Sequence, residues 1–165
     1  MSKSNDELYK INTGILPKDA FIVIVHTIWN AEIVNKMLAS CISTLQRYEM
    51  NNVKILQVPG AFEIPFSIKQ FWENYSNKFE KPQAFISLGC VLRGDTPHFD
   101  YVCKALTDGI VFLNLHLPAP TIFGVLTVDN QQQADDRTGG KSGDKGEEAA
   151  LSALKMIEHK YSLRQ

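Results

Sequence analysis

The sequence predicts an α/β protein: a three-layer α/β/α sandwich on a four-stranded, mostly parallel sheet with helices on both faces. Four short apolar runs, rich in β-branched residues, are each bounded by turn residues. Between them the apolar residues recur at helical spacing, so strand and helix alternate along the chain. That alternation calls for right-handed crossovers, which place helices on both faces of a parallel sheet. With 165 residues, 44% of them hydrophobic and 21% charged, the chain suits one domain with a sizeable core.

The elements follow in order. Residues 1–20 form a polar N-terminal segment of mixed charge, without a signal-peptide core or transit-peptide bias, and residues 21–165 form the domain. Phe21–Val25 is an unbroken apolar run, as expected of a strand buried on both sides. Asn30 is placed to cap a helix whose inner stripe is Ile33, Val34, Met37, Leu38, Cys41, Ile42 and Leu45. Val53–Val58 is the second strand, stopped by Pro59-Gly60. Ile64, Ile68, Phe71, Trp72 and Tyr75 mark the next helix, with Pro65 tolerable only in its first turn. Ala84–Leu88 is the third strand. A helix follows from about Pro97, turning Val102, Ala105, Leu106 and Leu113 inward. Thr121–Val128 is the fourth strand, followed by a short polar turn or helix and a glycine-rich loop. A last helix runs from about Lys145 to Lys160. Four such units in this length describe a flavodoxin-like sandwich, whose ligands lie beyond the carboxyl ends of the strands.

Composition excludes several classes of function. A net charge of −1 gives no general attraction to nucleic acid or anionic lipid. No apolar run approaches the roughly 20 residues of a membrane helix. The three cysteines, Cys41, Cys90 and Cys103, show no metal-binding spacing and read as reduced thiols of a cytoplasmic protein.

Chemistry-bearing residues gather at the strand ends. After the first strand comes His26-Thr27-Ile28-Trp29-Asn30, in which Trp29 is either a hydrophobic staple or a stacking platform for a planar ring. After the second comes Pro59-Gly60-Ala61-Phe62-Glu63-Ile64-Pro65. Its small residues allow close backbone approach, and Glu63 either offsets a helix dipole or accepts ligand hydrogen bonds. After the third comes Cys90-Val91-Leu92-Arg93-Gly94-Asp95-Thr96-Pro97-His98. Thr96-Pro97 reads as cap and first helical residue, which puts His98 in the first turn beside a natural anion site. An imidazole ionises near neutrality and suits proton transfer, although a histidine at such a place is more often structural than catalytic. After the fourth comes Arg137-Thr138-Gly139-Gly140-Lys141-Ser142-Gly143-Asp144-Lys145-Gly146-Glu147. Asp144 and Glu147 suggest a capping box, while Arg137, Lys141 and Lys145 among glycines make either a phosphate grip or a solvated basic loop. It is not a Walker A loop. Taken singly each feature has a structural reading, but all four fall at one sheet edge.

Pro59–Pro65 (PGAFEIP), Leu88–Gly94 (LGCVLRG), Thr96–Val102 (TPHFDYV), Phe123–Thr127 (FGVLT) and the Gly140–Gly146 loop resemble the signatures of the lumazine synthase family. The likeness runs from about Phe21 to His159. It implies a transferase of riboflavin biosynthesis that condenses 5-amino-6-(D-ribitylamino)uracil with 3,4-dihydroxy-2-butanone 4-phosphate, releasing phosphate and water without a cofactor or a metal. On the same ground Trp29 takes the place of the aromatic that stacks on the pyrimidine. Asn30, Ala61, Phe62, Glu63, Cys90, Val91 and Leu92 match the pyrimidine and ribityl site, with Phe123 lent by an adjacent subunit. Gly94, Asp95, Thr96 and Arg137 match phosphate ligands. His98, Lys145 and Arg137 match the catalytic groups. Where many members have Gly-Arg-Phe-Asn, this chain has Thr27-Ile28-Trp29-Asn30, so an arginine is replaced by Ile28. The resemblance further implies homopentamers, alone or as decamers or sixty-subunit shells, with the N-terminal segment packing on a neighbour and riboflavin synthase as a further partner. Neither nucleic acid nor membrane is expected to bind.

Three other functions compete on this scaffold. A flavodoxin-type electron carrier needs a Ser/Thr- and Gly-rich phosphate loop where Trp29 stands. A phospho-receiver domain needs acidic residues where His26 and Cys90 stand. A non-catalytic lumazine- or riboflavin-binding cage protein would share the scaffold, and the set His98, Arg137 and Lys145 speaks against it.

Overall fold

A computed structural model describes residues 9–75 and 80–163. The elements are β1 (Ile22–Thr27), α1 (Ala31–Arg47), β2 (Val53–Val58), a 3-10 turn (Ala61–Glu63), α2 (Ile64–Tyr75), β3 (Ala84–Leu92), α3 (His98–His116), β4 (Thr121–Val128), α4 (Gln131–Asp136), β5 (Thr138–Gly140), β6 (Gly143–Asp144) and α5 (Lys145–Ser162). Strands β1 to β4 form one parallel sheet in the order β2-β1-β3-β4. The expected three-layer α/β sandwich is therefore present.

Strand alternation divides the core in two. Ile22 and Ile24 of β1 with Ile86 and Leu88 of β3 face α1 and α5, whose Met37, Cys41, Leu45, Leu154 and Ile157 are wholly buried. Val23, Val25, Phe85 and Val125 point the other way, onto Ile64, Ile68 and Phe71 of α2 and Leu106 and Ile110 of α3. A period of two in each strand thus supplies both layers. The inner layers are tightly fitted. A Cβ on Gly124 would lie 2.6 Å from the Ser87 carbonyl oxygen and 3.0 Å from Ala149 of α5, so only glycine fits there. A Cβ on Gly146 would run into the Met37 carbonyl of α1.

Three local expectations need correction. β3 runs on to Leu92 instead of stopping at Leu88, because β4 offers it partners as far as Val128. The glycine-rich loop is a small antiparallel hairpin, β5 with β6, in which Gly139 and Gly143 adopt positive φ of 95° and 94°. Helix α3 begins at His98 with Pro97 in the cap position, one residue later than the Thr96 cap expected, so Thr96 stands outside the helix.

Residues 9–20 lie against their own chain. Leu16 and Ala20 are buried, the Tyr9 hydroxyl donates to Glu147 at 3.2 Å, and Lys155 donates to the Lys10 carbonyl. The first eight residues of that segment lie outside the described residues.

Candidate active site at the carboxyl edge of the sheet

The ends of β1, β2 and β3 and the start of α3 enclose a cleft of about 530 Å³. It is lined by Trp29 and Asn30 after β1, Pro59–Glu63 after β2, Cys90–Leu92 of β3, Gly94 and Thr96, and His98, Phe99 and Val102 of α3. Most of the residues picked from the sequence therefore meet in one place, as strand ends in a parallel sheet must.

Each wall has a local cause. The chain leaves β1 held by two backbone bonds, Ile28 N–H to the Val58 carbonyl at 2.9 Å and Trp29 N–H to the Pro59 carbonyl at 3.1 Å. Ile28, where the resemblance led one to expect arginine, is half exposed. The Trp29 side chain is 68% exposed and the Phe62 side chain 62%, so two large aromatic rings stand open at the rim. Exposed aromatics facing a concave surface mark a site for a flat ligand.

Glu63 lies in the 3-10 turn and accepts the Gly60 backbone N–H at 3.0 Å. This is the returning half of a capping box, so the carboxylate is fixed beside the cleft with acceptor capacity left over. Cys90 is 4% exposed, and burial pushes its thiol up to about 11. It forms an unreactive part of the wall. His98 is exposed at the mouth, on the first residue of α3, where no side chain caps the helix. Arg93 is tied to Asp129 at 2.8 Å and to Asp100 at 3.2 Å, and its guanidinium lies 4.0 Å from the centre of the Phe99 ring. These ties pin the 93–97 loop and the first turn of α3 to the end of β4.

Four other residues picked from the sequence stand apart. Asp95 is exposed in the loop between Gly94 and Thr96, off the cleft lining. Arg137 follows α4, and its guanidinium is held by both carboxylate oxygens of Glu148, at 2.8 and 2.7 Å, and by the Ser142 carbonyl. Lys145 reaches the same Glu148 at 3.6 Å. Burial pushes the Glu148 carboxyl up, but hydrogen bonding and charge from Arg137, with Lys145, outweigh it and hold it below the ordinary value of 4.5. Phe123 lies on β4 in a second hollow of about 630 Å³, with Asn114, Thr121, Met156 and His159.

The capping-box reading was half right. Asp144 accepts Gly146 N–H at 2.8 Å and Glu147 N–H at 3.1 Å, but the Glu147 carboxylate turns to Arg47 at 2.7 Å and to Tyr9. Two contributors went unpicked. Phe99 follows His98 directly in the same string, and Glu148 sits three residues after Lys145, a spacing at which helical charges pair. Among the described residues no three His, Cys, Asp or Glu side chains group as metal ligands, and no helix is long and apolar enough to cross a membrane.

Comparison with known proteins identifies the family. Residues 19–161 match the family model of 6,7-dimethyl-8-ribityllumazine synthase. The chain is 46% identical over 151 residues to the 6,7-dimethyl-8-ribityllumazine synthase of Parabacteroides distasonis, covering 90% of this chain and 91% of that protein. It is 42% identical to the protein of the same name from Bacteroides fragilis, covering 86% of this chain and 97% of the other. For that of Phocaeicola vulgatus the identity is 43%, over 86% of this chain and 83% of the other. With a matched family model over most of its length and relatives this similar, the chain belongs to the 6,7-dimethyl-8-ribityllumazine synthase family.

Proposed function

We propose that this transferase condenses 5-amino-6-(D-ribitylamino)uracil with 3,4-dihydroxy-2-butanone 4-phosphate to 6,7-dimethyl-8-ribityllumazine, the penultimate step of riboflavin biosynthesis. The observation that carries the reading is the single cleft in which Trp29, Glu63, Thr96 and His98 meet, in a chain of this family. An indole and a phenyl ring suit a flat pyrimidine, and the Glu63 carboxylate suits ring N–H or ribityl hydroxyl donors. Gly94, Thr96 and the uncapped start of α3 suit a phosphate.

The pyrimidine amine adds to the ketone, and loss of water gives an imine. Phosphate then departs, the side chain rotates, and ring closure with a second dehydration completes the product. His98 moves the protons. Holding the two substrates together accounts for much of the acceleration. Arg137 and Lys145 offset charge on the departing phosphate.

Within one chain Arg137, Lys145 and Phe123 stand away from the cleft. The reading therefore includes a site completed by a neighbouring copy, as in a homopentamer or a multiple of one. The three free cysteines, two of them buried, fit a cytoplasmic setting.

Mixing the purified protein with both substrates and following lumazine absorbance tests the reaction. Formation at the uncatalysed rate would favour the cage-protein reading. Mass photometry tests the assembly. Mixing the His98 and Arg137 variants, at a sugar-phosphate concentration where each is impaired, tests the shared site, because only a site built from two chains regains activity beyond the sum of the two in mixed rings.

A further inference from the structure

We propose that Asn30 is a positioning residue for this reaction, holding the Trp29 indole across the cleft, an inference that rests on the functional reading above. Asn30 occupies the cap position of α1, where an asparagine side chain ordinarily accepts a backbone N–H from the first turn. Here it makes no such bond. The residue sits at φ 58° and ψ 41°, in the left-handed region that asparagine tolerates better than most. Its Nδ2 instead donates to the Cys90 carbonyl at 2.8 Å, sixty positions away on β3.

The effect is to suspend Trp29 between two anchors. Its own N–H is held by the Pro59 carbonyl beyond β2, and its carbonyl accepts the Thr27 hydroxyl at 3.2 Å. The next residue is tied to β3 through the Asn30 amide. The indole itself is 68% exposed, so side-chain packing does little to orient it. Its ring edge passes over Gly60, where an added Cβ would lie 3.9 Å from the indole Cε3. Backbone anchoring on both sides, with the Asn30 amide as the tie to β3, therefore fixes the point and direction from which the indole leaves the chain. The bond to Cys90 takes one Nδ2 hydrogen and leaves the other, with Oδ1, at the cleft wall, so the Trp29 readout below and not the KM alone decides whether Asn30 acts through Trp29.

Two substitutions separate backbone from amide. Asn30→Gly keeps access to positive φ and removes the side chain. Asn30→Asp keeps the shape and removes the donor. Both are made in a Trp72→Phe background, which leaves Trp29 as the only tryptophan of two. Trp29 emission anisotropy, read without substrate, should fall in both variants. The KM for the pyrimidine should rise about 2- to 10-fold, the span of one net hydrogen bond. The KM for the sugar phosphate and kcat should hardly move. Unchanged anisotropy would overturn the proposal, and so would a parallel rise in both KM values. If the protein with both tryptophans shows no catalysed turnover, the reaction is wrong, while the anisotropy in the Trp72→Phe background still decides what Asn30 does.

Discussion

The two long helices whose first residues are the candidate catalytic His98 and Lys145 start in opposite ways. At α5, Asp144 takes two backbone N–H groups with its carboxylate, and the β5–β6 hairpin leads the chain firmly into the first turn. At α3, Pro97 stands in the cap position with no side-chain hydrogen bond, and the helix opens onto the cleft. A helix start completed from within is built for stability. One left without a side-chain acceptor keeps its donors for a ligand, forgoing about 1 kcal/mol of capping. The same contrast holds between α4, capped by Asn130, and α1, whose Asn30 is turned to another use. Among these four helices, the two left uncapped by side chains are those that face the cleft.

Substitutions at the two ends should break or confirm this contrast. The largest effect is expected for His98→Ala at the open end. It should lower kcat on the order of 100-fold without abolishing turnover, the lower part of the range for a general acid or base. Steady-state kinetics with the lumazine readout checks it, and an unchanged kcat would remove His98 from the proton transfers. Arg137→Ala comes next. It should raise the KM for the sugar phosphate on the order of 10-fold, as expected for a lost charged hydrogen bond, with little change for the pyrimidine. An unchanged phosphate KM would leave Arg137 a purely structural partner of Glu148.

Stability separates the ends more finely. Asp144→Ala should cost about 1 kcal/mol and lower the Tm by roughly 2–4 °C. Thr96→Ala should alter stability by less than about 0.5 kcal/mol, because Thr96 caps nothing, yet weaken use of the sugar phosphate. Calorimetry on both variants checks the pair. Equal losses would mean that α3 is capped after all.

The smallest effects concern pH. His26 is buried at the end of β1, and that burial lowers its pKa from 6.5, a backbone hydrogen bond notwithstanding. A lowered base binds its proton more readily when unfolded, so stability should decline as pH falls below about 6.5. Glu148 is also held low, and its contribution is present above 4.5 and lost as pH falls through the folded value. His26→Gln should flatten the first decline and Glu148→Gln the second, as urea titrations across that range would show. Loss of both declines in one variant would mean the two groups are coupled.

Much of this was readable from residues alone. β2, α2 and β4 lie between the expected residues, because proline, glycine and apolar spacing punctuate the chain there. The cleft was readable for a topological reason: parallel strands deliver their following loops to one edge. What could not be read depends on partners distant in sequence. The extra length of β3 is set by β4, the Asn30 amide is claimed by Cys90, and the Glu147 carboxylate by Arg47. The separation of Arg137 from the cleft belongs to the same class. Residue type advertises a phosphate ligand, but only the fold reveals that Glu148 already grips it.

Gly124 bears on how such strings should be interpreted. It is the second residue of FGVLT and has no side chain to bring to a reaction. It is glycine because a methyl would collide with the Ser87 carbonyl and with α5. Gly146, in the loop string, is constrained in the same way by the Met37 carbonyl. A recurring letter in a diagnostic pattern can thus record clearance between layers, and protein engineers altering either glycine should expect misfolding before any change of specificity.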